Sequence, residues 1–464
     1  MNKKNRLLIL IICIAVFLVI TPYLVMYSMG YRLDFENWEI TATGGIYVKS
    51  YPSADEITID SKITEKPGMF SSSTFVQDLL PKEHTVLVKK SGYFDYAKTV
   101  EVEEKIATKI ENITLFKTDI AYDKLATDTM SFSISPDKKN VLIESTNTKS
   151  LDSYYFPISS PTDKKEYSLP LSYISVSNIK WSNDSNKALI ETYSYSTKIS
   201  TYYFIDFSKK TQLIATLSYP DTNSSQIFFN PQDSNQIFYI AKNNLYSIKN
   251  NKSSLIIKGL LTYKIIDGNI LWLSTNGLLS KSDTAGKLIE ELTTIKTALP
   301  TGKAYTIENI SGKIFVTSND ILHVYNLETK SFDNFNAKIN DYKLLQSPDG
   351  KNMVYYNSND IYLYSFKQDL KETEENNVKL FSANWSGTIT DCYWLNNDYI
   401  IFEVGNKIII SEIDYRGNIN TVELPQKFEP TTSSVNPKVI FNSQDGKVYI
   451  LNGEILYSSE KIVP

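Results

Sequence analysis

Imidazole and thiol chemistry in this chain of 464 residues rests on four side chains, His84, His323, Cys13 and Cys392. A general base needs an orienting partner and a metal needs several ligands at set spacing, and neither histidine belongs to a recognisable triad or zinc motif. No Gly-x-Ser-x-Gly elbow, glycine-rich phosphate loop or His-Glu-x-x-His is present. His323 stands between Leu322 and Val324 at an alternating position, which predicts a solvent-facing or satisfied sheet histidine rather than a base. Cys392, beside Tyr393, is expected to pack rather than to attack a substrate.

Recurrent Asp-Gly and Asn-Asp pairs have the residue types of calcium ligands, but their simpler reason is geometric, because these residues tolerate the left-handed backbone of hairpin turns. No stretch has the spaced acidic positions of an EF-hand loop. The acidic patch 372–375, with Asn376 and Asn377 behind it, reads as a solvated loop. Trp181 and Trp394 precede equivalent polar turns, which implies packing between repeated units, whereas Trp272 and Trp385 are less constrained. The tyrosine-rich stretch 193–203 has the rings to stack on a sugar, although many tyrosines first of all make a strand. No catalytic, metal-binding or cofactor-binding residue is assigned, no cofactor is expected, and the ligand-binding residues are unknown.

The elements that would position these residues begin with an apolar run. Lys3, Lys4 and Arg6 precede residues 7–26, and nothing ionisable follows before Arg32. About twenty helical residues at roughly 1.5 Å each span the roughly 30 Å hydrocarbon core. The basic start, set against Asp34 and Glu36 after the run, predicts a cytoplasmic tail and an extracytoplasmic remainder. A cleaved signal peptide needs a shorter apolar stretch and a small-x-small exit, and Tyr27-Ser28-Met29-Gly30 is a poor one. Ile12 occupies the place where a lipidated Cys13 would need a small residue. Pro22, near the end of the run, predicts a kink.

A hydrophobic content of 42% leaves ample material for cores, and 48 basic against 52 acidic residues give a net charge of −4, which argues against nucleic acid as a partner. With Cys13 in the apolar run, no disulfide joins the rest of the chain. The 32 tyrosines and 21 phenylalanines, alternating with branched and hydroxyl residues, favour strands.

Four short segments alternate within 44–116: 45–50, 56–60, 84–89 and 99–103. Ile46 with Val48, Val86 with Val88 and Val100 with Val102 should share one core, while Lys49, Lys89, Glu101 and Glu103 face water. Gly45-Ile46-Tyr47-Val48-Lys49-Ser50-Tyr51-Pro52, followed by Ile57-Thr58-Ile59-Asp60, resembles the opening of a PEGA domain. Leu79-Leu80-Pro81 and the closing Lys90-Ser91-Gly92-Tyr93 are similar to that family's later half. Ser53-Ala54, Ser61 and Lys82 depart from its usual glycines, and the insertion 65–74 lengthens one connection. The resemblance implies a small β-sandwich that serves as a surface, envelope or carbohydrate-associated module without catalysis.

Beyond a connector the chain repeats a strand, a polar turn and an apolar strand. Trp181-Ser182-Asn183-Asp184-Ser185-Asn186-Lys187 is one copy, and Ile134-Ser135-Pro136-Asp137-Lys138 and Gln346-Ser347-Pro348-Asp349-Gly350-Lys351 are others. Spacings of roughly 35 to 48 residues fall in the range of four-stranded propeller blades, whose sheets bury their faces by closing into a ring. The Ser-Pro-Asp turns resemble those of TolB-type and WD-type β-propellers. Eight units are expected, or seven if the irregular stretch 260–337 is divided differently. The last unit looks one strand short, and the segment 121–127 is placed to supply it.

The expected layout is an all-β ectodomain behind one transmembrane helix. It comprises a cytoplasmic tail 1–6, a signal anchor 7–30, a juxtamembrane linker 31–43, a PEGA-like β-sandwich 44–116, a connector 117–129 and a β-propeller 130–464. The expected role is a non-catalytic, membrane-anchored binding or scaffold protein of the cell envelope, with an envelope protein or polysaccharide as partner. The competing readings are an extracytoplasmic propeller enzyme, a glycan lyase, hydrolase or peptidase, and a component of a surface lattice.

Overall fold

A computed structural model describes residues 3–463 apart from Glu36, 69–70, 147–149, 170–173, 195–196, 210–213, 218–223, 295–302, 319–320, 336–339, 367–375, 385–386 and 427–436. Helix α1 (Lys3–Ser28) runs through Pro22. Within it Asn5–Ser28 has a mean hydropathy of 3.0 and is long and apolar enough to cross a membrane, as an anchor or as a signal sequence. The described chain is otherwise almost entirely β.

Residues 1–120 form one compact unit with 411–425 and 462–464. Stretch 31–43, expected as a linker, is instead a hairpin of β1 (Tyr31–Asp34) and β2 (Glu39–Ala42), in which Leu33 pairs with Ile40. Its short alternation is enough for two strands whose base is fixed where Thr43 N donates to Gly30 O.

The sandwich follows as β3 (Gly44–Tyr51), β4 (Glu56–Ile59), β5 (Ile63–Glu65), β6 (Ser73–Leu79), β7 (Glu83–Lys89), β8 (Tyr96–Glu101) and β9 (Ala107–Thr114). One sheet runs β6-β3-β9 and the other β5-β4-β7-β8. Ile46, Val48, Val86, Val88, Val100 and Val102 share a single core, and Lys49, Lys89, Glu101 and Glu103 are exposed, so the period-two alternation located both faces. It did not locate β6 and β9, which flank β3 and contribute Val76, Leu79, Ile110 and Ile113. A glycine is required at position 44, where a Cβ would lie 2.3 Å from the Glu103 carbonyl oxygen.

The second unit, 121–410 with 426–461, holds the β-propeller except for residues 411–423, which end its seventh sheet. Seven four-stranded antiparallel sheets follow in chain order and span 131–169, 174–216, 225–258, 260–291, 306–334, 343–382 and 389–423; they are called sheets 1 to 7 below. Both irregular units between 260 and 337 thus form sheets of their own. Sheet 8 takes three strands from 438–459, and its outer strand is β10 (Tyr122–Ala126), which pairs Tyr122 with Ser459 and Asp123 with Ser458. The middle of the expected connector is therefore the strand that closes the ring, and closure leaves no long edge open.

Buried clusters sit between successive sheets. Phe132 and Phe156 of sheet 1 pack on Tyr449 and Leu456 of sheet 8, and Leu142 and Tyr167 pack on Ile190 and Ile205 of sheet 2. Each sheet thereby buries the face that it cannot bury alone.

The polar turns are hydrogen-bonded circuits that recur. Ser135, Ser182 and Ser347 are buried, and each hydroxyl donates to the aspartate two residues on, Asp137, Asp184 or Asp349. Each also accepts the amide five residues on, from Asn140, Lys187 or Asn352. The carboxylates are spent on turn geometry.

Candidate functional site

The first strands of the eight sheets are neighbours around the ring, and side chains link most of them to the next. Trp181 Nε1 donates to Ser133 Oγ at 2.9 Å, and the Lys180 ammonium lies 5.0 Å from the centre of the Phe228 ring. Gln226, at φ 48°, is a node between three sheets. Its Oε1 accepts from Thr262 Oγ1 at 2.8 Å, its carbonyl accepts from the Tyr263 hydroxyl, and its Nε2 donates to Tyr305 O. Lys264 pairs with Glu308 at 3.0 Å, and Ser311 N donates to Gln346 Oε1. Lys343 reaches Thr390 O and, at 3.9 Å, the Asp391 carboxylate. Lys438 donates to Phe132 O at 2.9 Å, which links sheet 8 back to sheet 1.

Four lysines, 180, 264, 343 and 438, and two carboxylates, Glu308 and Asp391, lie on these strands. Glu308 pairs with Lys264, Asp391 acts on both Lys343 and Lys438, and Glu191 on the second strand of sheet 2 acts on Lys180. Burial holds the Lys180 and Lys438 ammonium groups below the ordinary lysine range. Both also lie over aromatic rings, Phe228 and Phe132.

A cavity of about 430 Å³ opens beside the first strands of sheets 5 and 6. Thr306, Glu308, Thr317, Ser318 and Lys343 contribute to its wall, with Thr306 and Thr317 hydroxyls 2.7 Å apart. Ser318 is buried and its hydroxyl has no hydrogen-bond partner among the described residues. The wall supplies hydroxyls, the Asp341 carboxylate and one member each of two ion pairs, which suits a polar ligand group.

Two carboxyl groups are buried elsewhere in the propeller. Glu144 accepts a bond from Ser153 Oγ at 2.7 Å and Glu403 accepts one from Thr390 Oγ1 at 2.8 Å. Burial pushes Glu144 up to about 8 and Glu403 up to about 7. They stand on second strands of sheets 1 and 7, which are not neighbours, so they do not form an acid–base pair. Among the described residues no group of three or more His, Cys, Asp or Glu is placed to hold a metal.

The residues singled out from sequence are dispersed. His84 is buried in the N-terminal unit, with Nδ1 2.7 Å from Asp60 Oδ2 and Nε2 2.8 Å from Leu80 O. His323 is half-buried and neither solvent-facing nor fully satisfied. Asn334 bonds it, its Nδ1 has no partner among the described residues, and burial holds its pKa below the ordinary value. Cys392 is buried and its thiol is pushed up by burial. Trp181 and Trp394 play the same role, since Trp394 Nε1 also donates to the preceding sheet, at Leu345 O. Trp272 bonds Ser282 within its own sheet. Tyr202 and Tyr203 are buried in the clusters between sheets, whereas Tyr193 is half-buried. Tyr195, Trp385 and the acidic patch 372–375 lie outside the described residues.

Sequence reasoning missed one buried polar network, centred on Lys98 in the N-terminal unit. Lys98 Nζ donates to Glu412 Oε1 at 2.6 Å, Asp414 O at 2.7 Å and Asn418 O at 3.0 Å. Tyr96 donates its hydroxyl to the other Glu412 oxygen. Lys98 stands on β8 at an ordinary alternating position, and no local pattern marks a lysine whose partners are more than 300 residues away.

Residues 43–118 match the family model described as PEGA domain. Among curated proteins none matches the chain. Solved structures similar to it are propellers at low identity. BamB from Moraxella catarrhalis is 11% identical, over 74% of this chain and 97% of that one, at a TM-score of 0.45. The Dos1 propeller is 13% identical, over 73% and 94%, at 0.47. Hsv2 of Kluyveromyces lactis is 12% identical, over 65% and 98%, at 0.39. The chain thus carries a PEGA domain and a β-propeller behind one apolar N-terminal helix.

Proposed function

We propose that the chain is a membrane-anchored, non-catalytic binding or scaffold protein of the cell envelope. In this reading α1 anchors it with the N-terminus cytoplasmic, and the propeller meets an envelope protein or polysaccharide outside. The observation that carries the reading is the lining of the ring, where the first strands bring four lysines and two carboxylates together beside a polar cavity. Such a lining favours acidic segments or anionic polymers over neutral ones.

The test uses the full chain in nanodiscs as bait for solubilised envelope, with bound protein and glycan identified separately. Retention of a defined partner that weakens with salt, and that is lost in Lys180→Met/Lys438→Met or Thr306→Trp, supports the reading. Retention unaffected by all three substitutions removes the axial lining from the interface. Absence of any retained protein or polymer overturns the binding role.

A further inference from the structure

The β1–β2 hairpin presents two unlike faces. Alternation and the register Leu33↔Ile40 put Leu33 and Ile40 on one side and Arg32, Asp34, Glu39 and Thr41 on the other, with Phe35 and Trp38 in the turn between the strands. The apolar four are 36%, 71%, 78% and 56% exposed, although each is a type that a soluble surface seldom gathers. Phe35 and Trp38 meet edge to face at 6.3 Å. At the base the same side is covered, because Ala42 is buried and Lys105 lies over the Tyr31 ring. Apolar exposure therefore rises toward the tip.

The opposite face is tied down. Arg32 Nη1 donates to Tyr27 O in the last turn of α1 at 2.8 Å, its guanidinium lies over the Tyr27 ring, and its Nη2 pairs with Asp78 at 2.8 Å. The hairpin thus leaves the helix end as a fixed extension with its apolar face open. The 24 residues of the apolar helix measure about 36 Å against a hydrocarbon core of roughly 30 Å, which puts the helix end in the interfacial layer. Tryptophan, with an apolar ring and one N–H, is at home in that layer.

We infer that the apolar face of this hairpin, led by Phe35 and Trp38, seats in the lipid interface beside the helix. The chain would thus hold the membrane at two points and the PEGA domain would have a fixed bearing on it. The inference rests on α1 being a retained anchor, so the test reads the two separately.

Full-length chain in liposomes carries a nitroxide at Trp38→Cys, or in a second variant at Phe35→Cys, in a Cys13→Ser background. Buried Cys392 is checked for labelling in Cys13→Ser alone. A label at Phe17→Cys reports the anchor. The expected result is that oxygen relaxes the label at 38 several-fold more than a water-soluble nickel chelate does, with a shallower depth than at 17. A label at 17 inside lipid with labels at 35 and 38 in water would overturn the hairpin seat and keep the anchor. All three in water would overturn both. Spin–spin distances under about 30 Å between copies, with 38 shielded from oxygen and nickel alike, would assign the face to a second copy instead.

Discussion

Lys98 Nζ lies 2.6 Å from Glu412 Oε1 across 314 positions of sequence, and both side chains are almost fully buried. Around them, Asn418 and Asn420 side chains take the place of a neighbouring strand along β8. Asn420 Oδ1 accepts from Ala97 N, Asn418 Oδ1 accepts from Thr99 N, and Asn418 Nδ2 donates to Ala97 O. An edge strand that would otherwise present open amides and carbonyls is capped by side-chain amides instead. Replacing one member of such a pair strands the other charge away from water. Lys98→Met is expected to cost about 3–5 kcal/mol, and Glu412→Gln added to it should restore part of the loss. Denaturant midpoints of the two variants check this, and a loss below about 1 kcal/mol for Lys98→Met would refute it.

Gly417 sits at φ 62°, and a Cβ there would fall 1.9 Å from the Thr99 carbonyl oxygen. Backbone rather than a movable side chain blocks the space, so Gly417→Ala must displace the segment that carries Asn418. Amide exchange at Ala97 and Thr99 should accelerate at least tenfold while Val86 and Val88 hold theirs. Unchanged exchange at Ala97 and Thr99 would show that the amide caps do not depend on this glycine.

Much of this architecture was legible in local pattern. Ile46, Val48, Val86 and Val88 alternate, and alternation has one solution when one face is buried. Ser135, Ser182 and Ser347 announce their turns because each circuit closes within five residues. The missing eighth strand could be placed at 121–127 since a ring short by one strand must find it at the other terminus. Lys98, by contrast, is in phase with core-facing Val100 and Val102, and the residues that pair with it there, 412–420, are more than 300 positions away. The axial lining was equally hidden, for which first-strand lysines converge depends on ring closure and not on any stretch of sequence.

The turn circuits should matter more than exposed copies of the same chemistry. Ser182 accepts Lys187 N and donates to Asp184 while fully buried, whereas Ser208 bonds Asp206 at an exposed turn. Ser182→Ala leaves a buried amide and an aspartate oxygen without their partner and should cost about 1–3 kcal/mol. Ser208→Ala should stay within about 0.5 kcal/mol. Thermal unfolding of both variants gives the comparison, and equal effects would mean that the buried circuit is no stronger than a surface turn.

Glu144 gives the propeller a dependence on pH whose sign is fixed by its burial. Its carboxyl ordinarily titrates near 4.5, and in the folded chain burial pushes it up to about 8 against the opposing pull of the Ser153 hydrogen bond. Between these values the folded state holds a proton that the unfolded chain has released. Stability therefore falls as pH rises from about 4.5, and the loss is complete above about 8. At about 1.4 kcal/mol per tenfold change in proton affinity, the loss from this group is at most about 5 kcal/mol. Glu144→Gln removes the titration while keeping an acceptor for Ser153, so its stability should change less between pH 5 and pH 8 than that of the parent. Glu403→Gln should flatten the profile over a narrower span that ends near pH 7. Denaturation at four pH values across this range measures both slopes, and a parent profile that rises with pH, or one that Glu144→Gln leaves unaltered, would show that Glu144 is charged in the folded propeller.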